Sequence, residues 1–270
     1  MGEEVSVSEM TKKPLSSTST HFILVHGVSH GAWCWYKVRT LLESSGHTVT
    51  CVDLKASGID RTDVDSILSF QDYNQPLVDI MTSLPNEHKV ILVGHSAGGI
   101  SVTDAIHKFP DKIQAAVYVA ASMLNLGFQT DQDVKDGGPD ISELGDAIEF
   151  GFGLGKDEPP TSAFVKQQSQ REIFYQLSPI EDCTLASMLL RPFPLAVTQA
   201  KLEEGKESSE RVARIYIKTL QDRVIKPNQQ DAMIKRWPPL QVYAIDTDHS
   251  PFFSTPFVLS GLLAKVAHSL

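Results

Sequence analysis

Ser96 lies in a sequence pattern that can turn a serine into a nucleophile. Residues 94–98 (GHSAG) match G-x-S-x-G, directly after the apolar run 90–93 and directly before a helical pattern that starts at Ala97. Strand, tight turn and helix in this order are the setting that a nucleophile elbow requires. The flanking glycines let strand and helix approach closely, because they have no Cβ atom. We therefore interpret Ser96 as the nucleophile of an acyl-transfer reaction; the alternative is a glycine-rich turn that merely exposes a serine.

A serine hydroxyl attacks a carbonyl carbon only when a general base takes its proton, and a carboxylate must hold that base in the right tautomer. His249 follows the last predicted strand, and Asp222 follows the strand before it. The chain order serine, aspartate, histidine and the placement after late strands both suit such a triad. Asp246 and Asp248 are alternatives to Asp222, but their closeness to His249 in the sequence favours turn capping or solvation. The sequence thus predicts catalytic roles for Ser96, Asp222 and His249.

The tetrahedral intermediate of acyl transfer carries a negative oxygen, which backbone N–H groups can bind. One such group comes from the residue after the nucleophile, here Ala97, and the other from the loop after an early strand, here Val28. Gly27 permits a close approach at this loop; the alternative is a plain turn glycine. We expect Val28 and Ala97 to form the oxyanion hole, and Gly27 and Ser96 to contact the substrate.

The pattern of apolar residues predicts the elements that would position these groups. Short apolar runs typical of buried parallel strands alternate with segments of helical periodicity. Such alternation predicts an α/β fold with a mostly parallel sheet covered by helices on both faces. The predicted strands are 21–25, 48–54, 89–93, 115–121, 214–219 and 241–245, and the predicted helices are 31–45, 70–84, 97–109, 229–235 and 257–269.

The alternation of strands and helices stops at about residue 123 and resumes at about residue 203. The intervening segment has glycine- and proline-rich stretches and short helical patterns at 171–176 and 185–190, without a run typical of a buried strand. An insertion over the C-terminal edge of a parallel sheet usually acts as a lid. We therefore predict three parts: a disordered tail of residues 1–20, a core of residues 21–122 and 203–270, and a helical cap of residues 123–202.

Charge and cysteine content exclude several classes of partner and site. Lysine and arginine number 24 against 33 aspartates and glutamates, and the net charge of −9 repels nucleic-acid phosphates and anionic membrane surfaces. Three cysteines without a C-x-x-C spacing fit a reducing compartment and argue against a disulfide scaffold or a cysteine-rich zinc site. No apolar stretch approaches the ~18 residues of a membrane-spanning helix. We expect no metal, no nucleic acid and no stable membrane anchoring.

The N-terminal residues bear on where the protein works. Residues 1–20 contain no apolar core for a signal peptide and no arginine, which makes a transit peptide a poor interpretation. A cytoplasmic location is therefore favoured. Residues 1–6 (MGEEVS) fit the loose myristoylation pattern at Gly2. Acidic neighbours and the lack of a basic second anchor favour an ordinary solvated tail instead.

Several segments of the chain are similar to one known family. They are 21–37 (HFILVHGVSHGAWCWYK), 90–99 (VILVGHSAGG), 178–192 (SPIEDCTLASMLLRP), 216–223 (YIKTLQDR) and the pair Asp248-His249. Together they resemble the plant methylesterase and hydroxynitrile lyase branch of the α/β-hydrolase superfamily, over nearly the whole chain from His21 onward. The resemblance implies an α/β-hydrolase fold with a helical cap over an apolar acyl pocket, the triad and oxyanion hole named above, and no cofactor. Some members dimerise, so the resemblance also allows a homodimer.

Within this branch the resemblance favours an esterase over a lyase. One type of hydroxynitrile lyase has Thr at the position of Gly27 and Lys at the position of Ser250, and another type has Asn at the Gly27 position; none of these groups is present here. The expected substrates are methyl esters of small apolar plant acids, hormone esters included, with methyl indole-3-acetate, the ester of an auxin, favoured. The alternatives are a lyase, an alkaloid-biosynthetic esterase variant, and a non-catalytic receptor for small molecules.

Overall fold

The structure is a computed structural model, and it describes residues 19–139 and 145–269. Most of the predicted tail, Gly2 included, therefore lies outside the described residues. Thr20, the last residue of the predicted tail, is already bonded to the sheet: its carbonyl oxygen accepts a hydrogen bond from the Thr48 amide at 3.0 Å.

Strands form a central parallel sheet and a second, small sheet. In chain order they are β1 His21–Val25, β2 Thr48–Val52, β3 Val90–His95, β4 Ile113–Val119, β5 Ile148–Gly151, β6 Ser162–Val165, β7 Phe193–Pro194, β8 Ala213–Thr219 and β9 Gln241–Ile245. The central sheet has the order β2-β1-β3-β4-β8-β9, and each neighbouring pair is parallel. The predicted α/β class with a parallel central sheet is confirmed.

Some helices cover the two faces of the central sheet, and others lie in the segment between β4 and β8. In chain order they are α1 Tyr36–Ser44, α2 Phe70–Ser83, α3 Gly98–Lys108, α4 Asp131–Gly137, α5 Gln167–Phe174, α6 Ile180–Leu189, α7 Pro227–Arg236, α8 Pro251–Ser254 and α9 Pro256–Ser269. Successive side chains of a strand point to opposite faces, and β1 shows the result. Phe22 and Leu24 pack in one buried cluster with residues of α1 and α9, whereas Ile23 and Val25 pack in another with residues of α2 and α3.

We call the segment between β4 and β8 the cap. Besides α4, α5 and α6 it contains an antiparallel sheet in the order β5-β6-β7, which the sequence analysis did not predict. Each of these strands has four residues or fewer. So short a strand cannot show an alternating pattern in the sequence, because the pattern needs several repeats to be recognised.

Asp182, at the start of α6, attaches the cap to the core. Its buried carboxylate accepts a hydrogen bond from the Tyr36 hydroxyl at 2.7 Å and pairs with the Lys37 ammonium at 2.5 Å. After α6, the guanidinium of Arg191 donates to the backbone carbonyls of Gly58 and Asp60. The cap is thus held to the segments that follow β1 and β2, on the C-terminal side of the sheet.

Candidate active site

Ser96 lies in a strained turn between β3 and α3. Its φ is +54°, in the left-handed region that costs a non-glycine residue about 1 kcal/mol or more. A Cβ atom on Gly98 would lie 2.5 Å from the carbonyl oxygen of His26, and one on Gly94 would lie 2.7 Å from that of Gly98. Both positions therefore require glycine, and the turn has the form of a nucleophile elbow.

Asp222 and His249 meet although 27 residues separate them in the chain. Asp222 lies in the loop after β8, His249 lies in the loop after β9, and their side chains are almost fully buried. The Nδ1 atom of His249 lies 2.8 Å from Oδ2 of Asp222. A carboxylate can only accept a hydrogen bond, so Nδ1 carries the proton and Nε2 keeps a lone pair. The imidazole therefore has the tautomer that a general base needs.

Further donors surround the carboxylate of Asp222. The Val224 and Ile225 amides donate to Oδ1 at 2.8 and 3.0 Å, and the Thr219 hydroxyl donates to Oδ2 at 2.9 Å. The amide of Gln230, a fully buried side chain on α7, adds a contact to Oδ2 at 3.3 Å. Because each of these groups donates, together they fix the orientation of the carboxylate. The sequence analysis did not identify Gln230. The one signal in the sequence is that Gln230 is a polar residue in a helix that packs on the core.

His95 ties the nucleophile turn to the loop of His249. Its Nε2 atom donates to the backbone carbonyl of His249 at 2.7 Å, and the two rings have centroids 4.6 Å apart. Burial lowers the pKa of His95 well below its ordinary value, so the ring is neutral near pH 7. Since His95 directly precedes Ser96, this hydrogen bond holds the turn of the serine against the loop of the histidine.

The loop after β1 runs directly against the nucleophile turn. A Cβ atom on Gly27 would lie 2.7 Å from Cβ of Ser96, a distance at which one of the two residues would have to move. Val28 and Ala97 line the same cavity as Ser96. The residues predicted for the oxyanion hole and for substrate contact are therefore brought together around the serine.

The cavity beside Ser96 has a volume of about 360 Å³ and lies between core and cap. Its wall is mostly apolar and combines residues of the cap, such as Phe128 and Phe150, with residues of the core, such as Val224 and Ile225. Its polar side chains are those of Ser96, Ser122, Thr198 and Gln199, and among the described residues no charged side chain belongs to the wall. The cavity is thus suited to an uncharged, apolar molecule.

A wider and more polar cleft, of about 830 Å³, shares the side chain of Ile173 with this cavity. It is lined by Glu172 and Arg223, among others, and it reaches Asp222 but not Ser96. A bound ester there would lie away from the nucleophile. The smaller cavity is therefore the candidate acyl site.

Asp248 has a larger role than turn capping or solvation. It is completely buried, and its carboxylate accepts hydrogen bonds from the Ser250 amide at 3.1 Å and the Ser254 hydroxyl at 2.8 Å. From the cap, the Leu177 amide and the Ser178 hydroxyl both donate to it at 2.9 Å. Asp248 thereby links the cap to the loop that holds His249. The sequence could not show this, because the partners lie 70 residues apart.

Within residues 19–139 and 145–269, no group of three or more His, Cys, Asp or Glu side chains is arranged to hold a metal ion. No helix in the same ranges is both long and apolar enough to cross a membrane.

Comparisons with known proteins match nearly the whole chain. The model of the alpha/beta hydrolase family matches residues 22–260. Methylesterase 17 of Arabidopsis thaliana is 57% identical over 274 residues, which cover 100% of this chain and 99% of the relative. Pheophorbidase of Raphanus sativus is 44% identical, with 93% of this chain and 95% of the relative covered.

A solved structure is also similar in three dimensions. The crystal structure of the methylesterase MES16 from Arabidopsis has a TM-score of 0.84 and 42% sequence identity, covering 93% of this chain and 100% of that one. The parallel sheet, the strained serine turn and these relatives agree with one another. The chain belongs to the plant methylesterase family of serine α/β hydrolases and is a carboxylic ester hydrolase.

Proposed function

We propose that this esterase hydrolyses methyl esters of small apolar acids, with methyl indole-3-acetate as the preferred substrate. Ser96 is the nucleophile, His249 the general base, and Asp222 the group that orients the imidazole. The proposal depends on one observation above all: Ser96 lines a cavity of about 360 Å³ whose wall, as far as the structure describes it, has no charged side chain. Pockets for small ligands range from about 300 to 1,000 Å³, so this cavity suits an acyl group of one or two rings.

The reaction has two halves that share the same groups. Nε2 of His249 takes the Ser96 proton while Oγ bonds to the ester carbonyl carbon, and the Val28 and Ala97 amides bind the oxyanion. The bond to the methoxy oxygen then breaks, and that oxygen leaves as methanol with the proton from His249. Water, deprotonated by His249, attacks the acyl-enzyme and releases the acid, which restores the Ser96 hydroxyl. Asp222 stabilises the imidazolium that forms in each half.

The wall of the cavity favours a neutral ester over the acid that it yields. A carboxylate loses much of its hydration in an apolar site, and the described residues of the cavity wall include no cation to compensate for this loss. The ester carries no charge and avoids this cost. We therefore expect the acid to bind more weakly than the ester and to leave readily.

Thr198 supports an indole ring over a carbocyclic acyl group. Thr198 lines the cavity, and its hydroxyl donates to the Leu195 carbonyl at 2.8 Å, so its oxygen can still accept a hydrogen bond. The ring N–H of indole is a donor that these lone pairs can accept. Methyl jasmonate and methyl salicylate have no ring N–H to offer.

A kinetic panel tests this substrate class. We expect kcat/KM for methyl indole-3-acetate to exceed that for methyl jasmonate and methyl salicylate, and to exceed that for the charged monomethyl succinate by about 100-fold or more, because burying an unpaired carboxylate costs several kcal/mol. Thr198→Val should lower kcat/KM about 3- to 10-fold for the indole ester alone, the value of one hydrogen bond. Methyl jasmonate serves as the matched control substrate.

Other outcomes of the panel would contradict the proposal. Undetectable hydrolysis of every ester, with tight binding of one of them, would indicate a receptor. Release of cyanide from mandelonitrile at a rate comparable to ester hydrolysis would indicate a lyase. A loss in Thr198→Val that is equal for indole and jasmonate esters would remove the argument for the indole ring.

A further inference from the structure

The loop that carries Val28 is hydrogen-bonded to the cap at two points. The hydroxyl of Tyr175, directly after α5, lies 2.6 Å from Nε2 of His30. The backbone amide of Arg191, after α6, donates to the carbonyl of Ser29 at 3.0 Å. The side chain of His30, which makes the first of these contacts, is also hydrogen-bonded to the backbone carbonyl of Val28.

The hydrogen bonds of His30 define its tautomer. Nδ1 lies 2.9 Å from the Val28 carbonyl oxygen, and a carbonyl can only accept, so Nδ1 carries the proton. Nε2 therefore accepts from the Tyr175 hydroxyl. Burial lowers the pKa of His30 to about 3 and raises the pKa of Tyr175 well above its ordinary range. Near pH 7 the ring is neutral and the hydroxyl is protonated, as this chain of bonds requires.

Both peptide groups next to Val28 are held by a histidine. The Gly27 carbonyl belongs to the same planar peptide as the Val28 N–H, and it accepts from Nδ1 of His26 at 2.7 Å. The Val28 carbonyl accepts from His30. Because the planes on either side of Val28 are fixed, the direction of its N–H is fixed as well. The second ring nitrogen of each histidine is also hydrogen-bonded. Nε2 of His26 accepts from the Leu54 amide of the core at 3.2 Å, whereas Nε2 of His30 accepts from the Tyr175 hydroxyl of the cap.

We propose that His30 is a positioning residue through which the seating of the cap, by way of the Tyr175 hydroxyl, sets the oxyanion hole. This inference rests on the proposed function, because it needs the Val28 N–H as an oxyanion donor. When the cap is seated, Tyr175 holds the ring of His30 and the ring holds the Val28 peptide. Without the Tyr175 hydroxyl the His30 ring loses one of its two hydrogen bonds. The Val28 N–H is then aligned less well with the oxyanion. The charge that develops in the transition state is then stabilised less, while ground-state binding of the acyl group is retained.

The test is the substitution Tyr175→Phe, with Tyr118→Phe as the matched control. Tyr118 is equally buried, and its hydroxyl also makes one hydrogen bond, at 2.9 Å, but its partner is Thr103 on α3 rather than the loop of Val28. We expect Tyr175→Phe to lower kcat about 10-fold or more with little change in KM, a part of the loss seen when an oxyanion donor is removed. Tyr118→Phe should retain kcat.

A pair of inhibitors separates positioning from a general loosening of the cap. A trifluoromethyl ketone analogue of the best ester forms a hemiketal oxyanion with Ser96, whereas the analogous methyl ether, with CH₂ in place of the ester carbonyl, has no carbonyl oxygen to place in the oxyanion hole. We expect Tyr175→Phe to weaken binding of the ketone by the same factor as kcat/KM and to leave the affinity for the ether unchanged. His30→Asn, which retains a side-chain N–H near the place of Nδ1, should keep more activity than His30→Ala.

Two results would overturn this inference. One is a kcat for Tyr175→Phe equal to that of Tyr118→Phe; the other is an equal loss of affinity for ketone and ether. If Tyr175→Phe does not fold, the comparison of His30→Asn with His30→Ala decides in its place. Failure of the proposed function would look different, because either the unsubstituted protein would hydrolyse no methyl ester or the Ser96→Ala variant would retain activity.

Discussion

Replacing Ser96 with alanine is expected to lower kcat for methyl ester hydrolysis by a factor on the order of 10⁴ or more, because no other group can form the acyl-enzyme. The substitution removes one oxygen from a turn whose backbone conformation alanine can take up at the same cost as serine. The cavity wall otherwise stays as it is. Binding of the free acid, measured by calorimetry, should therefore change little.

Ser122→Ala is the matched control for this substitution. Ser122 lines the same cavity, and its hydroxyl donates to the Gly137 carbonyl at 2.6 Å. Its loss costs one buried hydrogen bond, about 1 kcal/mol, and leaves the proposed nucleophile in place. Comparable losses of kcat in the two variants would contradict the assignment of Ser96.

Asp222→Asn is expected to lower kcat about 10³- to 10⁴-fold, as loss of the orienting carboxylate does in serine hydrolases. The carboxamide has nearly the same shape, but its nitrogen donates a hydrogen bond where the carboxylate only accepts. Nδ1 of His249 can then become an acceptor, which moves the proton to Nε2 and removes the lone pair that takes the Ser96 proton. KM should change much less than kcat, because Asp222 does not line the acyl cavity.

The control for this substitution is Asp246→Asn, which makes the same chemical change three residues before His249. Asp246 is exposed and accepts a hydrogen bond from Gln221 at 3.0 Å. We expect nearly unchanged kcat and thermal stability. A large loss of kcat here, together with activity retained in Asp222→Asn, would transfer the orienting role to the neighbouring loop.

The inner core strands β1, β3 and β4 could be predicted from the sequence as apolar runs, because they are buried on both faces. β1 and β9 begin and end at the predicted residues, and the other core strands differ by one or two residues at an end. The small sheet of the cap could not be predicted. Its strands are short, and β5 and β6 are separated by ten residues that have no strand pattern.

The residues of the candidate site also fall into two groups, those that the sequence could indicate and those that it could not. Ser96, Asp222 and His249 could be selected because a local pattern and the chain order indicate them. The contacts of His30 with Tyr175 and of Asp248 with Ser178 join residues 145 and 70 positions apart. Nothing local marks such pairs, since each residue could equally be solvated, and only the docking of the cap on the core brings them together.

The central claim, that Ser96 is the nucleophile, is tested most directly by covalent trapping. A fluorophosphonate with an apolar substituent bonds through phosphorus to an activated serine oxygen, and fluoride leaves. Intact-mass measurement and peptide mapping should show a single adduct on Ser96, formed quickly in the unsubstituted protein and slowly in Asp222→Asn. An adduct on a different residue, or continued ester hydrolysis by protein fully labelled at Ser96, would contradict the account.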